Sequence, residues 1–269
     1  MKHVESAAPS DSPGKTKHYA SVRSCVRGLQ LLGIVNVHRC IHLKDLVKIA
    51  GLPRSTVIRF LETLIEAGYV SENADSGTYE PAPRVLTLAS GFHFENWLET
   101  VSTPILIELI GKIGWPSDLL FLYGDRMRAK ASNRAHCAME INRSFVGVGG
   151  PLCNSASGRA YLAWCPEPER ERLLHQIAGI REHKKIRSEL QATRDRGYAI
   201  RDPALDPKIG SISIPVRFKG AVVCTLTTNF VFGTSTDAAV AQACLAAMRN
   251  AASQLEAAYA RDFAWDSSD

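Results

Sequence analysis

Apolar residues recur along the first ninety positions with the period of short, half-buried helices, and the polar gaps between them are brief. From Ser21 onward, Val22, Val26, Leu29 and Leu32 fall at spacings of four and three, which predicts a first helix that buries that face. After a break at 38–42, Leu43, Leu46, Val47 and Ala50 repeat at i, i+3, i+4 and i+7, a second helix with a narrow apolar stripe that Gly51 stops. Pro53 is placed for the first turn of a third helix, where its missing N–H costs nothing. At about 100° per residue, that helix gathers Val57, Ile58, Phe60, Leu61, Leu64 and Ile65 on one arc. The opposite arc carries Ser55, Thr56, Arg59, Glu62 and Thr63, with Arg54 in the electropositive first turn. Positions 68–72 and 78–80 then read as strands around the turn formers Asn73, Ala74, Asp75, Ser76 and Gly77. Helix, tight turn, helix and hairpin predict a winged helix-turn-helix, whose second helix reads base edges mainly through its N-terminal part.

Pro81 and Pro83 end the hairpin, after which Val85, Leu86, Leu88, Ala89 and Phe92 restart helical periodicity towards Trp97, Leu98 and Val101, a linker helix over 84–101. Downstream the pattern changes. Strand-like runs at 119–123 and 127–131 flank Gly124-Asp125, and runs at 212–218 and 221–229 flank Lys219-Gly220, predicting two hairpins. Ala160, Leu162 and Ala163 begin a helical stretch, 170–177 another, and the alanine-rich 236–258 a long closing helix. The economical assembly is α+β, an antiparallel sheet with helices packed on it. The expected organisation is a disordered leader at 1–18, the winged helix-turn-helix at 19–83, the linker helix at 84–101, a second domain at 102–263 and a tail at 264–269.

Charge sharpens this picture. The net charge of +5 is unevenly spread: Lys15, Lys17, Arg23, Arg27, Arg39, Lys44, Lys48, Arg54 and Arg59 face only Asp45 across 15–59, a local excess of eight, so the rest of the chain is slightly acidic. A basic block on a compact unit is the footprint of a polyanion binder, although charge alone fits a solvated surface equally well. The order of elements and the groove-facing residue types tip the balance to double-stranded DNA over a helical protein-interaction module. The leader has no apolar core of the signal-peptide kind, and no uncharged apolar run approaches the ~20 residues a membrane span needs, so a cytoplasmic protein without a membrane role is expected. Seven cysteines, scattered and without a C-x-x-C pair, read as buried reduced thiols. His38, Cys40 and His42 alternate, but two or three ligands in one short stretch are too few for a metal site, and neither metal nor cofactor is expected.

Enzyme function is the competing class. Ser155 and Ser157 lie in Asn-Ser-Ala-Ser-Gly, which is not a nucleophile elbow, and no histidine and acid can be matched to them; Cys153 and His175 are the least implausible nucleophile and base, and nothing pairs them. Asn154 and Ser155 are instead good caps for a helix through Arg159, whose N-terminus offers free N–H groups to an anion.

The segments Val26-Arg27-Gly28-Leu29-Gln30-Leu31-Leu32, Ala50-Gly51-Leu52-Pro53-Arg54-Ser55-Thr56-Val57-Ile58-Arg59 and Gly68-Tyr69-Val70 resemble the IclR family of bacterial transcription regulators. The second domain resembles that family's GAF-like effector domain through Gly149-Gly150-Pro151-Leu152, Ser155-Ala156-Ser157-Gly158-Arg159-Ala160, Arg196-Gly197-Tyr198 and Ile212-Ser213-Ile214-Pro215-Val216. Gly91-Phe92 with Trp97, Trp115-Pro116-Ser117-Asp118 and Leu162-Ala163-Trp164-Cys165-Pro166-Glu167 are most similar to activators of hydroxyphenylpropionate catabolism. The chain departs from the family pattern near Asp202 to Asp206, where paired acidic residues are usual and Pro203 and Pro207 intrude. The resemblance implies that Arg54, Ser55, Thr56 and Arg59 lie on the recognition helix and that the hairpin near Ser76 touches flanking DNA backbone; the basic block and the polar arc add Arg27, Lys44, Lys48 and Thr63 to the expected DNA face. It also implies a homodimer or tetramer, with the linker contributing, and RNA polymerase as a further partner. An aromatic acid needs apolar walls for its ring and convergent donors for its charged end. Such an effector is expected between Ser155, Ala156 and Ser157 and the strand residues Ser211, Ser213, Leu226 and Thr228, with Arg134, just beyond a strand, supplying positive charge.

Overall fold

The computed structural model describes residues 20–137, 149–177, 180–231 and 236–263, so the leader, the tail, Lys15 and Lys17 lie outside the described residues. The chain divides into two compact units, one spanning Met1–Gly91 with Trp265–Asp269 and the other Phe92–Ala264.

In the first unit, α1 (Arg23–His38) leads into β1 (Ile41–His42), α2 (Leu43–Ala50), α3 (Arg54–Glu66), β2 (Val70–Asn73), β3 (Thr78–Pro81) and the short α4 (Val85–Leu88). Its core is Leu31, Val35, Ile41, Leu46, Val57, Leu61 and Val70. The face of α1 expected to be buried is not: Val22, Val26 and Leu29 are 67%, 44% and 56% exposed, and only Leu32 of that stripe is buried. The helix is apolar on two arcs, and the one that packs runs through Gly28, Leu31, Leu32 and Val35, with Gly28 close enough to Phe60 that a Cβ there would meet its ring at 3.6 Å. The break at 38–42 contains β1, which pairs with β3, so the small sheet has three strands in the order β1-β3-β2. Gly51 closes α2 in the left-handed region at φ 62°, where a side chain would be strained, and donates to the carbonyl of Val47. Pro53 sits one residue outside α3, where its carbonyl accepts from the amides of Thr56 and Val57. The turn of the β2–β3 hairpin is organised by Asn73, whose Oδ1 accepts from the amides of Asp75 and Ser76.

The continuous linker helix expected over 84–101 is interrupted. α4 ends at Leu88, and a separate helix, α5 (Phe94–Ile113), starts six residues later and runs on to Gly114. Ser90 and Gly91 are poor helix formers, and Gly91 has no Cβ to pack.

The second unit is a six-stranded antiparallel sheet in the order β6-β5-β4-β9-β8-β7, formed by β4 (Ser117–Tyr123), β5 (Arg126–Ser132), β6 (Gly149–Pro151), β7 (Ala199–Ile200), β8 (Ile209–Phe218) and β9 (Ala221–Val231). The β8–β9 hairpin turns through Lys219 and Gly220, both at positive φ, the two-residue geometry that matches strand twist. One sheet face packs on α5 and on α9 (Asp237–Phe263) through Leu98, Leu106, Leu226, Phe230 and Met248. The other face carries α6 (Ala156–Trp164), α7 (Glu167–Ile177) and α8 (Ile180–Arg196) through Leu120, Met127, Leu162, Leu173 and Leu190. Gly158 lets α6 start tight against the segment after β6: a Cβ there would meet the carbonyl oxygen of Leu152 at 2.3 Å. Among the described residues no helix is long and apolar enough to cross a membrane.

Candidate nucleic-acid interface and internal cavity

In the first unit the apolar arc of α3 turns inward and leaves Arg54, Ser55, Arg59, Glu62 and Thr63 exposed, with Thr56 half-buried at the edge. Val57 and Leu61 hold that orientation, at 0% and 1% exposure. Thr63 spends its hydroxyl proton on the carbonyl of Arg59 one turn back, at 2.9 Å. Lys44 and Lys48 are exposed on α2, Arg27 on α1, and Ser76 on the hairpin turn, where its hydroxyl shares a 2.6 Å hydrogen bond with that of Thr78. A rigid helix thus offers a short polar face with two arginines and two serine or threonine hydroxyls near its N-terminus, the groups that hydrogen-bond base edges and phosphates.

In the second unit a cavity of about 510 Å³ lies between the start of α6, strands β4, β8 and β9, and the segment after β7. That volume suits a small organic ligand. Leu120, Ala156, Leu205, Ile209 and Val231 supply apolar wall. Of the eight residues expected around an effector, Arg134, Ser155, Ala156, Ser157 and Ser211 line the cavity, and Ser213, Leu226 and Thr228 do not. Alternation along β9 explains two of these. Leu226 points into the core beneath α9, and Thr228 shares a 2.9 Å hydrogen bond with Ser117, whereas their neighbours Thr227 and Asn229 face the cavity. Ser213 is on the cavity side but is fully buried, its hydroxyl within 2.8 Å of Thr227 Oγ1.

Arg134 corrects the expectation more deeply. Its side chain is 4% exposed, and its Nε and Nη2 donate to the two carboxylate oxygens of Asp118 at 3.0 and 2.8 Å. Asp118, fully buried, also accepts from Ser132 Oγ at 2.6 Å and Asn229 Nδ2 at 2.8 Å, and Asn229 in turn accepts from Ser211 Oγ at 2.8 Å. The charge expected for a ligand is answered inside the protein. Ser155 is similarly committed: it caps α6 by accepting from the amide of Gly158 at 3.0 Å while donating to the carbonyl of Pro151 at 2.7 Å. In this arrangement the hydroxyl serves as the N-cap of α6.

Sequence reasoning missed Asp118, Arg201, Asp206, Thr227 and Asn229 on this cavity. The available signal for Asp118 was a charge at the head of an apolar strand run, where burial demands a partner. The proline-containing departure at 202–206 has a defined shape: Asp202 caps a single turn at Pro203–Leu205, its amide donates to the carbonyl of Asn154, and its carboxylate meets Arg159 at 3.2 Å. That anchoring delivers Leu205 and Asp206 to the cavity.

The cysteines are not uniformly buried, since Cys25 and Cys40 are exposed and Cys153 is half-buried. Cys153 lines a different concavity, with Arg159 and Glu189, while the ring of His175 lies edge-on to that of His183. Burial pushes the Cys165 thiol up to about 11, with Glu169 adding to the shift. Among the described residues no group of three or more His, Cys, Asp or Glu is placed to hold a metal ion.

Two family models match the chain: the IclR helix-turn-helix domain over residues 24–74 and the bacterial transcriptional regulator IclR C-terminal domain over 98–257. The transcriptional repressor IclR of Escherichia coli (strain K12) is 28% identical over 191 residues, covering 67% of this chain and 69% of that protein. An IclR-family regulator of a Rhodococcus species superposes with a TM-score of 0.63 at 23% identity, over 93% of this chain and 97% of that one. An IclR homolog complexed with 4-hydroxybenzoate from Microbacterium hydrocarbonoxydans gives 0.54 at 20% identity, over 89% and 100%. With one of these models alone matching more than half of its length, the chain belongs to the IclR family of DNA-binding bacterial transcription regulators.

Proposed function

We propose that this regulator senses a small aromatic acid in the cavity of its second unit and controls genes of aromatic catabolism from operator DNA bound by α3. The observation that carries the sensing is the cavity itself, about 510 Å³ with apolar walls and a helix N-terminus at its edge, a combination that suits a ring bearing a carboxylate. The complex of a homolog with 4-hydroxybenzoate supports the chemical class, and the resemblance to hydroxyphenylpropionate activators supports the pathway and an activating role with RNA polymerase as partner in the cytoplasm.

The DNA face is Arg27, Lys44, Lys48, Arg54, Ser55, Thr56, Arg59, Thr63 and Ser76, and the working form is a homodimer or a pair of dimers. The exposed stripe of α1 favours this assembly. Val22, Val26, Leu29 and Val37 fall on one arc of the helix and are 44–67% exposed, an apolar strip a second copy would cover. The test is a gel shift with the promoter DNA beside the gene, with and without 4-hydroxybenzoate or 3-(3-hydroxyphenyl)propionate. A specific complex whose affinity responds to either acid is expected. A specific complex indifferent to both, with no thermal shift from either, would refute aromatic-acid sensing and leave the DNA-binding assignment standing.

A further inference from the structure

We infer that Arg201, and not Arg134, takes the effector's carboxylate, and that the cavity is built for a monoanion. This deepens the sensing function proposed above and rests on it. The argument begins with which charged groups of the cavity are already spent. Arg134 and Asp118 neutralise each other in a buried pair, and the four oxygen lone-pair directions of Asp118 are occupied by Arg134, Ser132 and Asn229. Drawing Arg134 towards a ligand would strand a fully buried carboxylate, which costs more than the new contact returns.

Arg201 is in the opposite condition. It lines the same cavity, its Nε is buried without any hydrogen-bond partner, and it enters none of the ion pairs formed among the described residues. Its backbone is fixed on both sides: its own amide donates to the carbonyl of Ser211 at 3.1 Å, and the next amide, of Asp202, donates to that of Asn154 at 2.9 Å. A guanidinium projecting from an anchored backbone, with a desolvated donor left open, is preorganised for a carboxylate, which can accept two of its N–H groups at once. Ser157 lines the same cavity but offers no spare proton: Ser155 gives its own proton to Pro151, so the 3.2 Å Ser155–Ser157 hydrogen bond is donated by Ser157, and Arg201 is left as the open side-chain donor. The remaining ionisable group on the wall, Asp206, is acidic and forms no ion pair among the described residues, so a second anionic group on the ligand would be repelled.

The test is titration calorimetry on the full-length protein with benzoate and 3-phenylpropionate, their neutral amides, and the dianion phthalate. At least one monocarboxylate binds, its amide and phthalate bind about tenfold more weakly or worse, and Arg201→Gln loses about tenfold or more of the acid's affinity at an unchanged melting temperature. Arg201→Lys keeps the charge but not the paired N–H groups, so it binds the acid more weakly than wild type and more tightly than Arg201→Gln, which separates loss of charge from loss of fold. Arg134→Gln lowers the melting temperature instead. Equal binding of the acid by wild type and Arg201→Gln overturns the anchor while leaving the cavity as the sensing site. Amides binding as tightly as acids overturns the monoanion rule. Failure of every compound to bind wild type overturns both this inference and the aromatic-acid cavity.

Discussion

Removing Asp118 isolates the central electrostatic claim about the cavity wall. Asp118→Ala takes from the guanidinium of Arg134, 4% exposed, the buried carboxylate that it pairs with at 2.8 Å, and deprives Ser132 and Asn229 of their acceptor. Breaking a buried ion pair by deleting one partner costs about 3–5 kcal/mol, and two further donors lose their acceptor here, so the upper half of that range is expected. A loss of that size is a large fraction of a domain's total stability, about 5–15 kcal/mol. Deleting both charges in Asp118→Ala/Arg134→Met removes the stranded cation and recovers at least half of the loss, a coupling that a double-mutant cycle reads directly. Urea unfolding followed by tryptophan fluorescence is the assay. Three of the four tryptophans, Trp97, Trp115 and Trp164, lie in the second unit, so with Trp265→Phe as the common background the signal follows the unit that holds the pair. A single-variant cost below about 1 kcal/mol, or a double variant as unstable as the sum of the singles, would refute the reasoning.

Other expectations concern the DNA face, the assembly and the thiols. Arg59→Ala should cost about 1–3 kcal/mol on the operator and less on random DNA at fixed salt; equal losses would reduce Arg59 to a phosphate contact. Lys44→Ala and Lys48→Ala should flatten the dependence of affinity on salt, because each neutralised phosphate releases counterions, and an intact protein with no salt dependence would contradict the basic face. Light scattering should give a dimer or tetramer that Val26→Asp/Leu29→Asp converts towards monomer, whereas a wild-type monomer both free and on DNA would dismiss the exposed α1 strip as an interface. The Cys165 thiol, raised in the folded state to about 11, contributes stability that is complete below the unfolded thiol range near about 8.5 and is lost as pH rises from there through the folded value. Cys165→Ser should therefore reduce the fall in melting temperature between pH 8 and 10, and an unchanged fall would exclude this thiol as its source.

What the linear order of residues determined here is local. The helices α1, α2 and α3 of the first unit, the hairpin with Asn73 and Gly77 in its turn, the Lys219-Gly220 reversal, the Ser155 cap and the long alanine-rich α9 follow from periodicity, capping and turn chemistry acting over a few residues. The resemblance of the Ala50-to-Arg59 and Gly149-to-Ala160 segments extended this to the family. Periodicity says that a helix is apolar, not which of two apolar arcs its own core takes, so α1 was read one face out, and α8, a polar 17-residue helix with few apolar positions, left no stripe to read. β9 has the same ambiguity in strand form: alternation was legible, but whether Thr227 or Thr228 faces the cavity depends on pairing with β4 and β8. Only the tertiary structure decided the fate of Arg134, because its neutralisation needs Asp118 on the neighbouring strand and Asn229 a further 111 residues along the chain from Asp118. Charge in a low-dielectric interior is settled by whichever partner is nearest in space, and that distance is set by the packing of the whole sheet and not by the spacing of residues in sequence.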